Sequence, residues 1–196
     1  MDNDVYVPNY GVNPEQEVTG SNISSRIIDF VQSVVVIGSI FASIYLFVAQ
    51  PHKVSGSSMV PTFRSGDYIL TDKMTYRFST PKKGDIIVLK NPRNEAEDFI
   101  KRIVATPGDK IKIETNIIYI NENPLNEPYI PNDYITRGQN FLTDGETIYI
   151  GQDQYFVMGD NRSHSSDSRE WGTVTRKEII GKVFFRYFPL NRLGKI

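Results

Sequence analysis

The chain has 196 residues, a formal net charge of -1 and no cysteine. The absence of thiols excludes a cysteine nucleophile, a disulfide framework and cysteine-ligated zinc. A net charge so close to zero does not suggest a nucleic-acid partner. The 11 Pro and 14 Gly lie among many β-branched and aromatic residues, which indicates one folded domain rich in strands and turns.

The N-terminal quarter of the chain divides into a polar tail and an apolar segment. Residues 1–25 contain four acidic residues and no Lys or Arg, so they predict a disordered tail. Residues 26–50 include an uncharged run, 34–49, and predict a transmembrane anchor that Pro51 ends. A buried core helix and a cleaved signal peptide are the alternatives. The long acidic region before the segment and its poor small-residue cleavage site favour an uncleaved anchor.

Residues 51–196 predict a mainly β catalytic domain. Short runs of β-branched and aromatic residues alternate with turn signals, and no amphipathic helix of useful length intervenes. Residues 109–150 include a long polar stretch, so they predict a small peripheral β lobe inserted in this domain. The predicted fold class is therefore mainly β, with one N-terminal transmembrane helix.

The segment Ser55-Gly56-Ser57-Ser58-Met59-Val60-Pro61-Thr62 suits a hydroxyl presented on a stiff, exposed turn. Glycine allows close approach of the backbone, and proline restrains its own φ and the residue before it. A serine hydroxyl is a poor nucleophile at neutral pH, so it needs a base beside it.

Two residues are candidates for that base. His164 lies in a polar loop with several Ser and Asp residues, where it would form a Ser-His-Asp triad or would simply be a solvated histidine. Lys101 alternates along a strand with Phe99 and Ile103, so it shares their face. Desolvation on that face would lower the pKa of Lys101 and allow the neutral amine to accept a proton. An exposed strand lysine remains the alternative.

A third segment, residues 158–169, contains two Asp, two Arg and four Ser. So many hydrogen-bonding groups in one loop indicate a polar support around a site. Together the segments resemble the motifs of type I signal peptidases, the membrane-bound Ser-Lys proteases, in their Gram-positive-like short form. The resemblance extends over the anchor and over residues 50–62, 66–70, 84–89, 99–110 and 159–169.

The resemblance implies a role for each matching position. Ser58 matches the nucleophile, Lys101 the general base and Ser165 the serine that orients the lysine. Asp160, Asp167 and Arg169 match polar supports of the loop, while Gly56 replaces a serine that supplies a second oxyanion donor in some members. His52 falls where an aromatic or apolar pocket residue is often found. The implied lining of the substrate pockets is Val54, Met59, Phe63, Phe99 and Ile100.

The resemblance further implies hydrolysis of one peptide bond through an acyl-enzyme, with no metal or cofactor. The expected partners are signal-peptide-bearing preproteins and the lipid bilayer, and no nucleic acid is expected. The catalytic domain of a single-pass protein of the cell membrane would lie on the extracytoplasmic side. Two other hypotheses are a self-cleaving regulator of the repressor type, which shares the Ser-Lys dyad, and a non-catalytic membrane-anchored β module.

Overall fold

The computed structural model describes residues 23–196, and contacts divide the chain into the units Met1–Phe41 and Ala42–Ile196. The predicted tail, residues 1–25, lies outside the described residues except for its last three positions. These already belong to helix α1, Ile23–Ser43. Its stretch Ser25–Ser43 is long and apolar enough to cross a membrane, and none of that stretch is buried inside the protein. Because a core helix would bury one face, the buried-core alternative does not fit.

The helix ends earlier than the sequence predicts. A π-helical turn, Ile44–Val48, follows α1, and strand β1 already begins at Ala49. Pro51 therefore does not end the helix but lies within β1, opposite Leu70 of the next strand. A proline is tolerated there because β1 is the end strand of its sheet, where a missing N–H breaks no ladder on the outer edge.

Eight antiparallel strands form the larger sheet, which confirms the mainly β class. Their order is β1-β2-β11-β3-β4-β9-β10, with β12 paired to β11. Their bounds are Ala49–Lys53 (β1), Tyr68–Asp72 (β2), Ile86–Asn91 (β3), Asn94–Ala105 (β4), Gln154–Met158 (β9), Val174–Thr175 (β10), Ile179–Phe188 (β11) and Gly194–Lys195 (β12).

The smaller sheet has four strands in the order β7-β6-β5-β8. Its strands are Lys110–Glu114 (β5), Ile117–Ile120 (β6), Asn123–Pro124 (β7) and Thr147–Tyr149 (β8), so all of them fall within residues 109–150. Ile111, Ile113 and Ile118 of this sheet pack against Val104 and Phe156 of the larger one. The shared apolar cluster fixes one sheet against the other.

Two short helices, α2 (Thr75–Phe78) and α3 (Ser168–Trp171), were not predicted. Each has four residues, which is too few to produce a helical periodicity in the sequence. Asp167 caps the N-terminus of α3, and its side chain accepts the N–H of Arg169. This cap orders the loop that the sequence singles out.

Two strand edges remain open where the site lies. Strand β9 pairs with β4 only from Arg102 onwards, so the part of β4 before Arg102 pairs with β3 alone. Among the strands of residues 23–196, β1 pairs only with β2. Both edges carry backbone groups that an added strand could bond.

Candidate active site

The segment that carries Ser58 is fixed from both ends. The Val54 N–H donates to the Asp67 carbonyl at 2.8 Å, and the Phe63 N–H donates to the Met59 carbonyl at 2.8 Å. Met59 and Phe63 are buried in an apolar cluster beneath the segment. Between these anchors Ser58 is only half-buried, so its hydroxyl is accessible on a stiff turn.

Lys101 is the hydrogen-bond partner of Ser58. Its Nζ lies 3.1 Å from Ser58 Oγ, and its side chain comes from β4. Only 3% of Lys101 is exposed, and its Nζ lies 4.9 Å from the centre of the Phe99 ring. Burial lowers the pKa of Lys101 to about 8, although the carboxylates of Asp167 and Asp160 oppose that shift. A lysine in this state can hold a proton or release it near neutral pH.

The loop of residues 159–169 holds the Ser58 segment by direct hydrogen bonds. The Asn161 N–H donates to the Ser58 carbonyl at 2.9 Å, and Asn161 Nδ2 donates to the Ser57 carbonyl at 3.1 Å. Asp160 accepts the Thr62 hydroxyl at 2.6 Å and two N–H groups of Arg102 at 2.8 and 2.7 Å. Asp160 therefore joins the serine segment to the strand that carries the lysine.

Asp167 and Arg169 form the second buried pair of the loop. Arg169 Nε and Nη2 donate to the Asp167 carboxylate at 2.8 and 2.9 Å, and both residues are almost fully buried. Asp167 also accepts the Gly159 N–H at 3.1 Å. Arg169 donates further to the carbonyls of Arg137 and Arg162. The pair thus satisfies the backbone of the loop rather than a reacting atom.

Ser165 does not make the hydrogen bond to Lys101 that the sequence comparison implies. Its hydroxyl is buried, and it has no hydrogen-bond partner among the described residues. The hydroxyl packs on Gly159, where an added Cβ would lie 2.3 Å from Ser165 Oγ and 2.5 Å from the Ser58 carbonyl oxygen. Only glycine fits between these two groups, and no separate role was predicted for this position.

A groove of about 320 Å³ opens beside the Ser58–Lys101 pair. Four of the five predicted pocket residues line it: Val54, Met59, Phe99 and Ile100. Phe63 does not, because it is completely buried in the core beneath the segment. The remaining lining includes Gly56 and His52, whose position the resemblance already associates with a pocket, and three polar side chains that were not predicted for the pocket: Asp98, His164 and Ser166.

A polar network behind the loop also escaped prediction. Arg162 is buried and pairs with Glu127, and its Nη1 donates to the Thr136 hydroxyl at 3.0 Å. Glu127 accepts the Tyr129 hydroxyl at 2.7 Å, and the Arg102 guanidinium lies 3.7 Å from the centre of the Tyr129 ring. This network extends from the loop of residues 159–169 to residues far away in sequence, so no local motif indicates it.

Within residues 23–196 no group of three or more His, Asp or Glu side chains lies close enough together to hold a metal ion. The chemistry available from the described side chains is that of a hydroxyl beside a buried amine. A serine hydroxyl hydrogen-bonded to a buried lysine amine is the arrangement that serine hydrolases with a lysine base use.

The family model described as "Signal peptidase, peptidase S26" matches residues 27–188. The chain therefore belongs to this family and is a serine peptidase. A probable signal peptidase I-1 of Synechocystis is 36% identical over 159 residues, which cover 76% of this chain and 76% of the relative.

Two further relatives cover more of the chain. Signal peptidase I of Bacillus caldolyticus is 36% identical over 79% of this chain and 88% of its own length. Signal peptidase IB of Staphylococcus aureus (strain COL) is 30% identical over 86% of this chain and 93% of its own length. A crystal structure of a signal peptidase I from Enterococcus faecalis V583 covers 53% of this chain, with a TM-score of 0.46.

Proposed function

We propose that the chain is a serine endopeptidase that removes N-terminal signal peptides from exported preproteins, with Ser58 as nucleophile and Lys101 as general base. The observation that carries the proposal is the 3.1 Å distance between Lys101 Nζ and Ser58 Oγ, with the lysine buried and its pKa lowered to about 8. Family membership supports the substrate class, since the named relatives are signal peptidases.

Catalysis begins with transfer of the Ser58 hydroxyl proton to neutral Lys101. The Ser58 oxygen then attacks the carbonyl carbon of the scissile bond, and the protonated lysine gives its proton to the departing amine. This leaves an ester between Ser58 and the signal peptide. Neutral Lys101 next takes a proton from water, whose oxygen attacks the ester, and returning that proton to Ser58 regenerates the enzyme.

The oxyanion of each tetrahedral intermediate needs hydrogen-bond donors. The Ser58 N–H donates to no described residue, so it is free to bind that oxygen. Gly56 has no side chain to supply a second donor. We therefore assign the Ser58 N–H as the principal donor of this chain.

The substrate would bind as an added β-strand between the open edges of β1 and β4, which both line the groove. Main-chain hydrogen bonds to these edges would provide affinity, and every second side chain of the substrate would contact the wall of the groove. Val54, Met59 and Ile100 are the apolar groups that small side chains at the first and third positions before the cut would contact.

Cleavage of a signal-peptide-bearing precursor tests the proposal. The purified full-length chain should cut the precursor once, whereas Ser58→Ala should bind it and leave it intact. A self-cleaving regulator would cut its own chain and spare the precursor, and a non-catalytic module would cut neither. Intact precursor after incubation with the wild-type chain would reject the proposal.

The apolar helix supports anchorage to the membrane by a single span. The proposed cleavage of exported preproteins implies that the Ser58 side lies outside the cytoplasm, where signal peptides emerge. We expect the full-length chain to stay with membranes during alkaline carbonate extraction, because Ser25–Ser43 is long and apolar enough to span a bilayer. A chain lacking residues 1–50 should be released. Protease added to intact spheroplasts should degrade the Ser58 domain, and its protection would contradict the proposed orientation.

We also propose that Ser165 orients Lys101 during proton transfer, although its hydroxyl is unpartnered in the resting site. Ser165→Ala should lower kcat about fivefold, because one hydrogen bond in the transition state is worth on the order of 1 kcal/mol. The free energy of unfolding should not fall, because the hydroxyl has no described partner to lose. Wild-type kcat in this variant would remove Ser165 from the mechanism.

A further inference from the structure

His52 is a polar residue in the wall of the groove. It lies in the end strand β1, opposite Ile69 of β2, and its ring lines the groove with Val54 and Ile100. Its Nε2 is buried and has no hydrogen-bond partner among the described residues. The mechanism proposed above does not use this ring.

The protonation of His52 determines what the ring offers to the groove. Burial lowers the pKa of His52, with smaller effects from Asp98, which raises it, and from Lys73 and Lys90, which lower it. The ring is therefore neutral where Lys101, with a pKa of about 8, acts as a base. A buried N–H without an acceptor is rarer in proteins than an unsatisfied acceptor atom, so the single proton belongs on Nδ1.

Nδ1 has no hydrogen-bond partner among the described residues, and unlike Nε2 it is not buried. Because the ring lines the groove, an occupant of the groove can contact this atom. The Nδ1–H is a donor, and it would bond a hydroxyl or carbonyl oxygen of that occupant. An apolar occupant would leave this donor unbonded, which costs free energy.

The open edge of β4 indicates which substrate residue meets His52. That edge ends at Lys101, because β9 occupies it from Arg102 onwards. Substrate residues before the cut must therefore extend from Ser58 towards Asp98, which lines the groove three residues before Lys101. The third residue before the cut lies two positions, about 7 Å, beyond the first residue of an extended substrate. That residue is then level with the Asp98–Phe99 end of this edge, beside His52, which lines the same groove.

We propose that His52 is a specificity-determining residue that favours a hydrogen-bonding side chain, serine or threonine, at the third position before the cut. The inference depends on the proposed peptidase function. A hydroxyl at this position accepts the Nδ1–H of His52, and a methyl group in its place does not. The pocket is thus selective for polarity as well as for size.

Two precursor peptides that differ only in Thr or Val at the third position test this proposal, because these side chains have nearly the same shape. The measured quantity is the ratio of kcat/KM for the Thr peptide to that for the Val peptide. We expect His52→Phe to lower this ratio roughly fivefold, the effect of one hydrogen bond. His52→Asn should keep most of the preference, because its amide nitrogen can occupy the place of Nδ1.

The controls separate this inference from the proposed function. The same Thr and Val pair at the second position, which faces the other way, should give equal ratios in wild type and His52→Phe. His164→Phe, a matched change of the other histidine in the groove, should leave the third-position ratio unchanged. Fluorescence of Trp171, the single tryptophan, verifies that each variant is folded.

Equal third-position ratios in wild type and His52→Phe would overturn the role of His52 while leaving the peptidase intact. Failure of the wild-type chain to cleave either peptide would instead reject the proposed function. An altered ratio at the second position as well would show a general disturbance of the groove, and this result too would overturn the specific role.

Discussion

Lys101→Arg should abolish precursor cleavage at every pH from 6 to about 10. The upper limit of this range is set by the pKa of free lysine, about 10.4. Guanidinium keeps its proton throughout this range and therefore cannot accept one from Ser58. Loss of a catalytic base commonly lowers rates by about two to four orders of magnitude. A single-turnover assay, in which excess enzyme cleaves labelled precursor, would detect any residual rate.

The wild-type pH profile gives the complementary result. Lys101 is charged and inactive below its pKa, and it is neutral and active above it. With a pKa of about 8, acylation should rise with pH through that value and level off above it. A histidine base would instead give a rise near 6.5. The cause of the lowered pKa is burial, so replacing Phe99, which packs on the amine, by a smaller residue should move the rise to higher pH.

Lys112→Arg is the matched control for the lysine substitution. Lys112 also lies on a strand, but it is partly exposed and pairs with Glu114. Its replacement should leave the cleavage rate and the pH profile unchanged. Substantial cleavage by Lys101→Arg would remove Lys101 from the mechanism, and loss of activity in Lys112→Arg would show that the assay responds to any change of lysine.

The sequence predicted the parts of the site that local patterns encode. Alternation along β4 placed Lys101 on the same face as Phe99, and the structure has the amine over that ring. The distance from Lys101 to Ser58 could not be predicted, since 43 positions separate them and only the pairing of β3 with β4 brings the strand into place. That information is in the tertiary packing rather than in any segment.

The errors have equally specific causes. Phe63 was assigned to the pocket by the resemblance to type I signal peptidases, but its side chain packs in the core beneath the Ser58 segment, and the sequence alone does not show which way an apolar side chain near a site faces. Pro51 was interpreted as a helix stop, although proline is equally acceptable in an end strand. The pairing of Arg162 with Glu127 joins distant segments and leaves no pattern in either.

Asp167→Ala should cause the largest loss of stability among the loop variants. Asp167 is 0% exposed and its partner Arg169 is 1% exposed, so the substitution leaves a buried guanidinium without its carboxylate. Breaking a buried pair in this way costs about 3–5 kcal/mol. The free energy of unfolding in urea, followed by the fluorescence of Trp171 next to the loop, measures this loss.

The same substitution should also reduce cleavage, because Asp167 holds the Gly159 N–H and Gly159 packs against both Ser165 and the Ser58 carbonyl. Glu170→Ala, in the helix α3 that follows Asp167, is the matched control. Glu170 pairs with Arg93 on the surface, where the two side chains are 27% and 55% exposed, and such pairs contribute about 1 kcal/mol or less. Equal losses of stability in the two variants would contradict the structural role of Asp167. At low temperature, where the Asp167→Ala variant is still folded, its cleavage rate can be measured separately from its stability. A wild-type rate there would exclude the proposed effect of Asp167 on Ser58 through Gly159.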